Sequence, residues 1–156
     1  MRIGPWLFAV FALGCVREPG EWVCPEGVSE GDLVVTEIGA AYFEIYNAQG
    51  GTVPLAGLAL ELVRLDGGEQ VRVLVRDQAL SVAGGGYAVV AAEGVYGSGA
   101  ADVLACGVLT DRVIWRDRPS TGSKTFDGAP DANANDDEAL WCDAAESPGE
   151  VNPPCA

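Results

Sequence analysis

Residues 33–62 constrain the fold more than any other stretch. Leu33-Val34-Val35-Thr36-Glu37-Ile38 is followed by a Gly39-Ala40 bend, and Tyr42-Phe43-Glu44-Ile45-Tyr46-Asn47 by a glycine-rich turn. The run resumes at Val53 and continues to Leu62. Short β-branched and aromatic runs broken by Gly, Asn and Pro make a strand, a hairpin and a returning strand, and no helical period develops. Leu58, Leu60 and Leu62 alternate with Ala59, Glu61 and Val63, the signature of a half-buried strand. Simple alternation places Val34, Thr36 and Ile38 on one face of the first strand and Leu33, Val35 and Glu37 on the other. An all-β sandwich follows as the expected fold.

The same grammar continues downstream. Asp66-Gly67-Gly68 supplies a hairpin turn, with Val71, Val73 and Val75 on the return strand. Arg64, Arg72 and Arg76 face Glu61 and Glu69 as cross-strand ion pairs, or mark a small anion site. Gly84-Gly85-Gly86 lacks the Lys-Ser or Lys-Thr of a phosphate loop and precedes a strand, so it reads as a tight turn into Tyr87-Ala88-Val89-Val90. Residues 93–101 read as a loop, 103–109 as a short apolar piece, and Asp111-Arg112-Val113-Ile114-Trp115 as the last convincing strand. Beyond Arg116 the chain turns polar, and residues 117–137 read as long loops with no core strand of any length.

Length and charge narrow the function classes. The chain has 156 residues, enough for one domain, and 49% hydrophobic residues, enough for a packed core. A net charge of -14 argues against nucleic acid as partner, because phosphates are held chiefly by Lys and Arg. It also disfavours charge-driven binding to anionic headgroups. The N-terminus differs: Met1 and Arg2 precede an apolar run over 3–13, too short to span a bilayer and suited to an export signal. Phe11-Ala12-Leu13-Gly14-Cys15 resembles the lipobox of bacterial lipoproteins, which implies a signal peptide over 1–14 and acylation of Cys15 as the new N-terminus. Several acyl chains would anchor the protein durably in the bacterial envelope. Val16 in place of Asp after that cysteine is compatible with the outer membrane. Cleavage removes Arg2 and takes the charge of -14 to -15.

Residues 15–31 read as the lipidated N-terminus and a tether, with Trp22 packing beneath the last strand or exposed for binding. Cys24, Cys106, Cys142 and Cys155 remain, an even number in an exported chain, so two disulfides are expected. Three pairings are open. Cys24 with Cys155 would join the two tails, and Cys106 with Cys142 would pin the loop-rich segment to a strand; this balanced pairing is the one expected. No Cys-x-x-Cys and no His occur, which leaves no basis for a zinc site.

The order Thr36-Glu37-Ile38, Phe43-Glu44-Ile45-Tyr46-Asn47, Leu55-Ala56-Gly57-Leu58 and Gly85-Gly86-Tyr87-Ala88-Val89-Val90 resembles the lamin-tail domain of bacterial surface proteins. Trp141 and Ser147-Pro148-Gly149-Glu150-Val151-Asn152 are similar to the Trp and Pro-Gly-x-x-Asn that close many such domains. The resemblance covers residues 32–152. It implies an immunoglobulin-like β-sandwich of lamin-tail type over 32–156, with long C-terminal loops, that binds or displays something and has no established chemistry. It also implies structural roles for Glu37, Glu44, Asn47, Gly57, Pro148, Gly149 and Asn152. The Gly39-Ala40-Ala41 link is shorter than the polar loop of many relatives.

Candidate chemistry is sparse. Without histidine, Ser-His-Asp and Cys-His arrangements are excluded. Glu37 and Glu44 are the one carboxylate pair that could flank a glycosidic bond, although by alternation they need not share a face. Asp131, Asn133, Asn135 and Asp137 present oxygen side chains at alternating positions, the pattern calcium uses. The loop departs from an EF-hand at Asp136, where Gly is required, and at Cys142, where a bidentate Glu is required. A calcium loop and a solvated acidic loop with Asx turns both stand. The expected function is a non-enzymatic, lipid-anchored envelope protein for adhesion or protein interaction, its partner an envelope or extracellular protein or glycan, with no cofactor unless calcium. The alternative is a calcium- or carbohydrate-binding accessory module that localises a partner enzyme.

Overall fold

The computed structural model describes residues 24–68, 70–93, 95 and 97–155. The expected signal peptide over 1–14, the lipobox-like stretch with Cys15, and Trp22 and Glu69 lie outside the described residues, as does most of the expected tether.

Among the described residues eleven strands run in the order β1 (Leu33–Ile38), β2 (Tyr42–Asn47), β3 (Val53–Pro54), β4 (Ala59–Arg64), β5 (Gln70–Leu74) and β6 (Ser81–Val82). They continue as β7 (Tyr87–Ala91), β8 (Gly99–Ala105), β9 (Val108–Trp115), β10 (Ser123–Phe126) and β11 (Trp141–Ala144), with two short 3₁₀ turns before the last. One sheet has the order β11-β10-β1-β2-β7 and the other β5-β4-β8-β9, while β3 and β6 pair separately; every pairing is antiparallel. The expected all-β sandwich is what the chain forms.

The two sheets close on one core. Leu33, Val35, Ile38, Phe43 and Ile45 come from the first, and Leu60, Leu62, Ala101, Val103, Val113 and Trp115 from the second. Phe43 and Trp115 meet edge to face across the layers with ring centroids 5.7 Å apart. Such a pair contributes about 0.5–1.5 kcal/mol beyond area burial. The alternation read at β4 holds, since Leu60 and Leu62 are wholly buried and Glu61 faces Arg72 on β5, 3.7 Å away. Arg64, by contrast, pairs with Asp66 inside the turn.

Four expectations are corrected. The faces of β1 do not alternate simply: a bulge between Val35 and Glu37 sets Thr36 and Glu37 together opposite Glu44. The extra residue shifts the alternation by one, so Ile38 joins Leu33 and Val35 in the core. Residues 103–109 and 111–115 are one hairpin, not separate pieces, because β8 and β9 pair from Gly99↔Trp115 to Ala105↔Val108. Its two turn residues, Cys106 at φ 51° and Gly107 at φ 80°, both take the positive φ of a type I′ turn.

The polar stretch after Arg116 also contributes a buried strand, β10, at the centre of the first sheet's C-terminal half. Its buried side chains include Ser123 and Thr125, so no hydrophobic pattern marks it. The fourth correction concerns the disulfides, which are Cys24–Cys106 and Cys142–Cys155, with Cα atoms 5.3 Å and 5.8 Å apart. The N-terminal segment lies along the β8–β9 hairpin, where the Gly31 N–H donates to the Thr110 carbonyl at 2.8 Å. The C-terminal tail is held against β1, beside β10 and β11, so the two tails are stapled to different strands instead of to each other.

Candidate functional site

The β1 bulge brings the two glutamates together. Glu37 and Glu44 are Cα partners across β1 and β2, and both are wholly buried on the face away from the core. The alternation that would have separated them is cancelled by the extra residue, Thr36. Burying two carboxylates is costly unless each is hydrogen-bonded.

The chain meets that requirement with its own donors. The Thr36 hydroxyl donates to Glu44 Oε1 at 2.8 Å, and the Gly149 N–H to Glu44 Oε2 at 2.7 Å. Glu37 Oε1 accepts from the Ser123 hydroxyl and from the Ser147 N–H, the latter at 3.0 Å. Asn152 closes the arrangement by donating to the Thr36 carbonyl at 2.7 Å, satisfying the bulge backbone. Pro148 and Gly149 form the turn that delivers these donors: Glu150 N–H bonds back to the Ser147 carbonyl at 3.0 Å, and Gly149 has φ 83°. Pro at the second position and a positive-φ Gly at the third are what a type II turn requires. Burial pushes the Glu44 carboxyl up to about 6; the Thr36 and Gly149 donors oppose the rise and the Glu37 charge adds to it.

Chemically the pair is a clamp. Its oxygens are engaged by Thr36, Ser123, Ser147 and Gly149, and the C-terminal turn covers them. The remaining residues of the expected structural set hold turns: Asn47, at the end of β2, accepts from Gln49 N–H at 2.9 Å and donates to the Gly51 and Val82 carbonyls at 2.7 and 3.1 Å. Gly57, at φ 84°, donates to the Val75 carbonyl at 2.8 Å.

A second buried network involves the candidate calcium loop. Asn135 is turned inward, donating through Nδ2 to the Val35 carbonyl at 3.0 Å and to Asp111 Oδ2 at 2.8 Å. The same Asp111 oxygen accepts the Val35 N–H at 2.7 Å. Strand β10 pairs with β1 only at Glu37 and Ile38, so Asp111 and Asn135 take the place of a ladder for the earlier part of β1. Burial raises the Asp111 carboxyl to about 6, against the donors that hold it down. Asn135's part here carried no sequence signal beyond the loop's polarity, and Asp111 reads from the sequence only as a strand residue.

Two other loop carboxylates, Asp131 and Asp137, serve the main chain. Asp131 Oδ1 accepts from the N–H groups of Asn133 and Ala134, both at 2.9 Å, and Asp137 Oδ1 from Ala139 N–H at 3.0 Å. These are the local turns expected of Asx residues. Among the described residues, no group of three or more Cys, Asp or Glu side chains is placed to hold a metal ion. A polar cavity of about 450 Å3 lies alongside, lined by Glu30, Thr110, Asp111, Arg112, Asn133 and Asp136 among others.

No family model, curated protein or solved structure matches the chain.

Proposed function

We infer that this is a non-enzymatic protein, lipid-anchored through Cys15 to a bacterial envelope, whose immunoglobulin-like sandwich of lamin-tail type mediates adhesion or protein interaction. The observation that carries the reading is the use of Glu37 and Glu44. The one carboxylate pair placed side by side in the first sheet is consumed by donors of its own chain and sealed beneath the C-terminal turn. Two disulfides support an oxidising compartment, where such bonds persist. The acidic composition supports a protein or glycan partner over nucleic acid.

The experiment is metabolic labelling with palmitate in wild type and Cys15→Ala, followed by envelope fractionation and capture of bound partners after cross-linking on intact cells. Labelled, envelope-bound wild-type protein that cross-links to a surface component supports the reading. Unlabelled soluble wild-type protein contradicts it.

The polar cavity beside Asn133 and Asp136 favours a second reading, an accessory module that takes a carbohydrate or calcium. Melting with calcium and with chelator tests the cation form of this second reading, since a calcium-binding module is stabilised by calcium and loses that gain to chelator.

A further inference from the structure

In a chain of net charge -14, one end of the second sheet concentrates positive charge. The register sets Arg64 opposite Gly99 and Gly99 opposite Trp115, so the end of β4, the start of β8 and the end of β9 lie side by side. Gly99 fixes this floor: a Cβ there would stand 2.6 Å from Trp115 Cζ2 and 2.9 Å from the Val63 carbonyl oxygen. Just past the strands, Arg64, Gly97, Ser98, Arg116, Asp117 and Arg118 enclose a cavity of about 460 Å3. Three of the chain's nine basic residues therefore line one small space.

The arginines are held and still able to bind. The Arg118 N–H donates to the Gly97 carbonyl at 2.7 Å, and its Nη1 to the Pro119 carbonyl at 2.9 Å. Its Nε is buried with no hydrogen-bond acceptor among the described residues. A buried donor left without an acceptor is unfavourable by about 1–3 kcal/mol. Arg64 is held by Asp66 through two N–H bonds, whereas the Arg116–Glu138 pair is exposed, and such pairs contribute only about 0–1 kcal/mol. The Arg116 guanidinium can exchange its partner for a ligand, and all three arginines carry the same donor geometry. Their planar forks match tetrahedral oxyanions through two parallel N–H bonds, and the hydroxyl of Ser98 suits the same role. The overall negative charge is screened over about 8 Å at physiological salt, so the local groups, three arginines against Asp66, Asp117 and Glu138, set the potential at the cavity.

We propose that this cavity is an oxyanion site that takes a phosphate or sulfate monoester group. It goes beyond the anchored-sandwich reading and does not depend on it. Asp117 on the same wall works against the charge and keeps the affinity modest.

The test titrates the purified full-length chain with inorganic phosphate and inorganic sulfate at constant ionic strength, following the arginine Nε signals by NMR. Saturable shifts of Arg116 and Arg118, with Arg72 unmoved, are expected. Arg116→Gln with Arg118→Gln should weaken binding at least tenfold, and Asp117→Asn should tighten it about twofold. Should the Arg118 variant fail to fold, Arg116→Gln alone, at least threefold weaker, and Asp117→Asn carry the same test. Dextran sulfate against uncharged dextran then separates the sources: tighter binding to the sulfated polymer, per sulfate, than to free sulfate identifies an ester on a glycan, and equal binding identifies a free oxyanion. Shifts that stay linear and equal at Arg72, Arg116 and Arg118, or binding unchanged in the variants, would overturn the proposal.

Discussion

Glu37 and Glu44 stand directly opposite one another across β1 and β2, both wholly buried, and each accepts a backbone N–H from the C-terminal turn, at Ser147 and Gly149 respectively. This pairing explains why the tail lies where it does. It also makes the pair a structural element whose loss would be read in stability.

The turn depends on a backbone that only glycine adopts easily. Gly149 at φ 83° has nothing near its missing side chain, so replacement is opposed by conformation and not by packing. Gly149→Ala is expected to lower stability by about 1–2 kcal/mol, the cost of a left-handed backbone in an L-residue. Urea unfolding of variant and wild type measures it, and hydrogen exchange should show the Ser147 and Gly149 amides losing protection first.

Stability should rise as the solution is made mildly acidic. Glu44 moves up from 4.5, and Asp111 from 3.8, each to about 6 in the folded chain, chiefly through burial. A folded pKa above the unfolded one means that the native state binds more protons between the two values. Each group's contribution is therefore complete below its ordinary pKa and lost as the pH rises through about 6. The melting temperature should increase from about pH 7.5 to about pH 5. Asp111→Asn should flatten that slope even though it lowers stability at every pH.

Removal of Asn135 tests the network that replaces a ladder beside β1. Asn135→Ala leaves the Val35 carbonyl and one Asp111 oxygen short of a buried donor, a loss of about 2–3 kcal/mol. Asn135→Asp should be worse at neutral pH, because it sets a second carboxylate against Asp111, and should recover in part near pH 5. Denaturant midpoints at the two pH values decide it.

The two disulfides should differ in worth. Cys24–Cys106 spans 82 residues and Cys142–Cys155 spans 13. On chain-entropy grounds, replacing the first pair by Ser should destabilise by about 4–5 kcal/mol and the second by about 3 kcal/mol. Guanidinium unfolding of the two double variants gives the comparison.

How much of this the sequence disclosed depends on whether a residue's neighbours follow from its own strand. Leu58, Leu60 and Leu62 could be read because β4 is regular and half buried, and the Gly84–Gly86 turn because glycine there has a local purpose. The faces of β1 could not, since the bulge at Thr36 is set by donors over 100 positions away, at Asn152 and Ser147. Strand β10 was hidden because two of its three buried side chains, Ser123 and Thr125, are polar and made tolerable partly by Glu37. The disulfide pairing required knowing that the C-terminal tail folds back on β1. The arginine cavity was likewise invisible, because Arg64 and Arg116 meet only through the registers of β4, β8 and β9. Of the three arginines grouped by sequence, only Arg64 lines it.

We propose that the chain is an exported, anchored and cross-linked sandwich. Non-reducing peptide mass spectrometry of the protein taken from its own cell envelope tests it most directly. The expected result is an acylated Cys15 at the N-terminus together with peptides joined as Cys24–Cys106 and Cys142–Cys155. A chain that retains Met1 and carries four free thiols would contradict it.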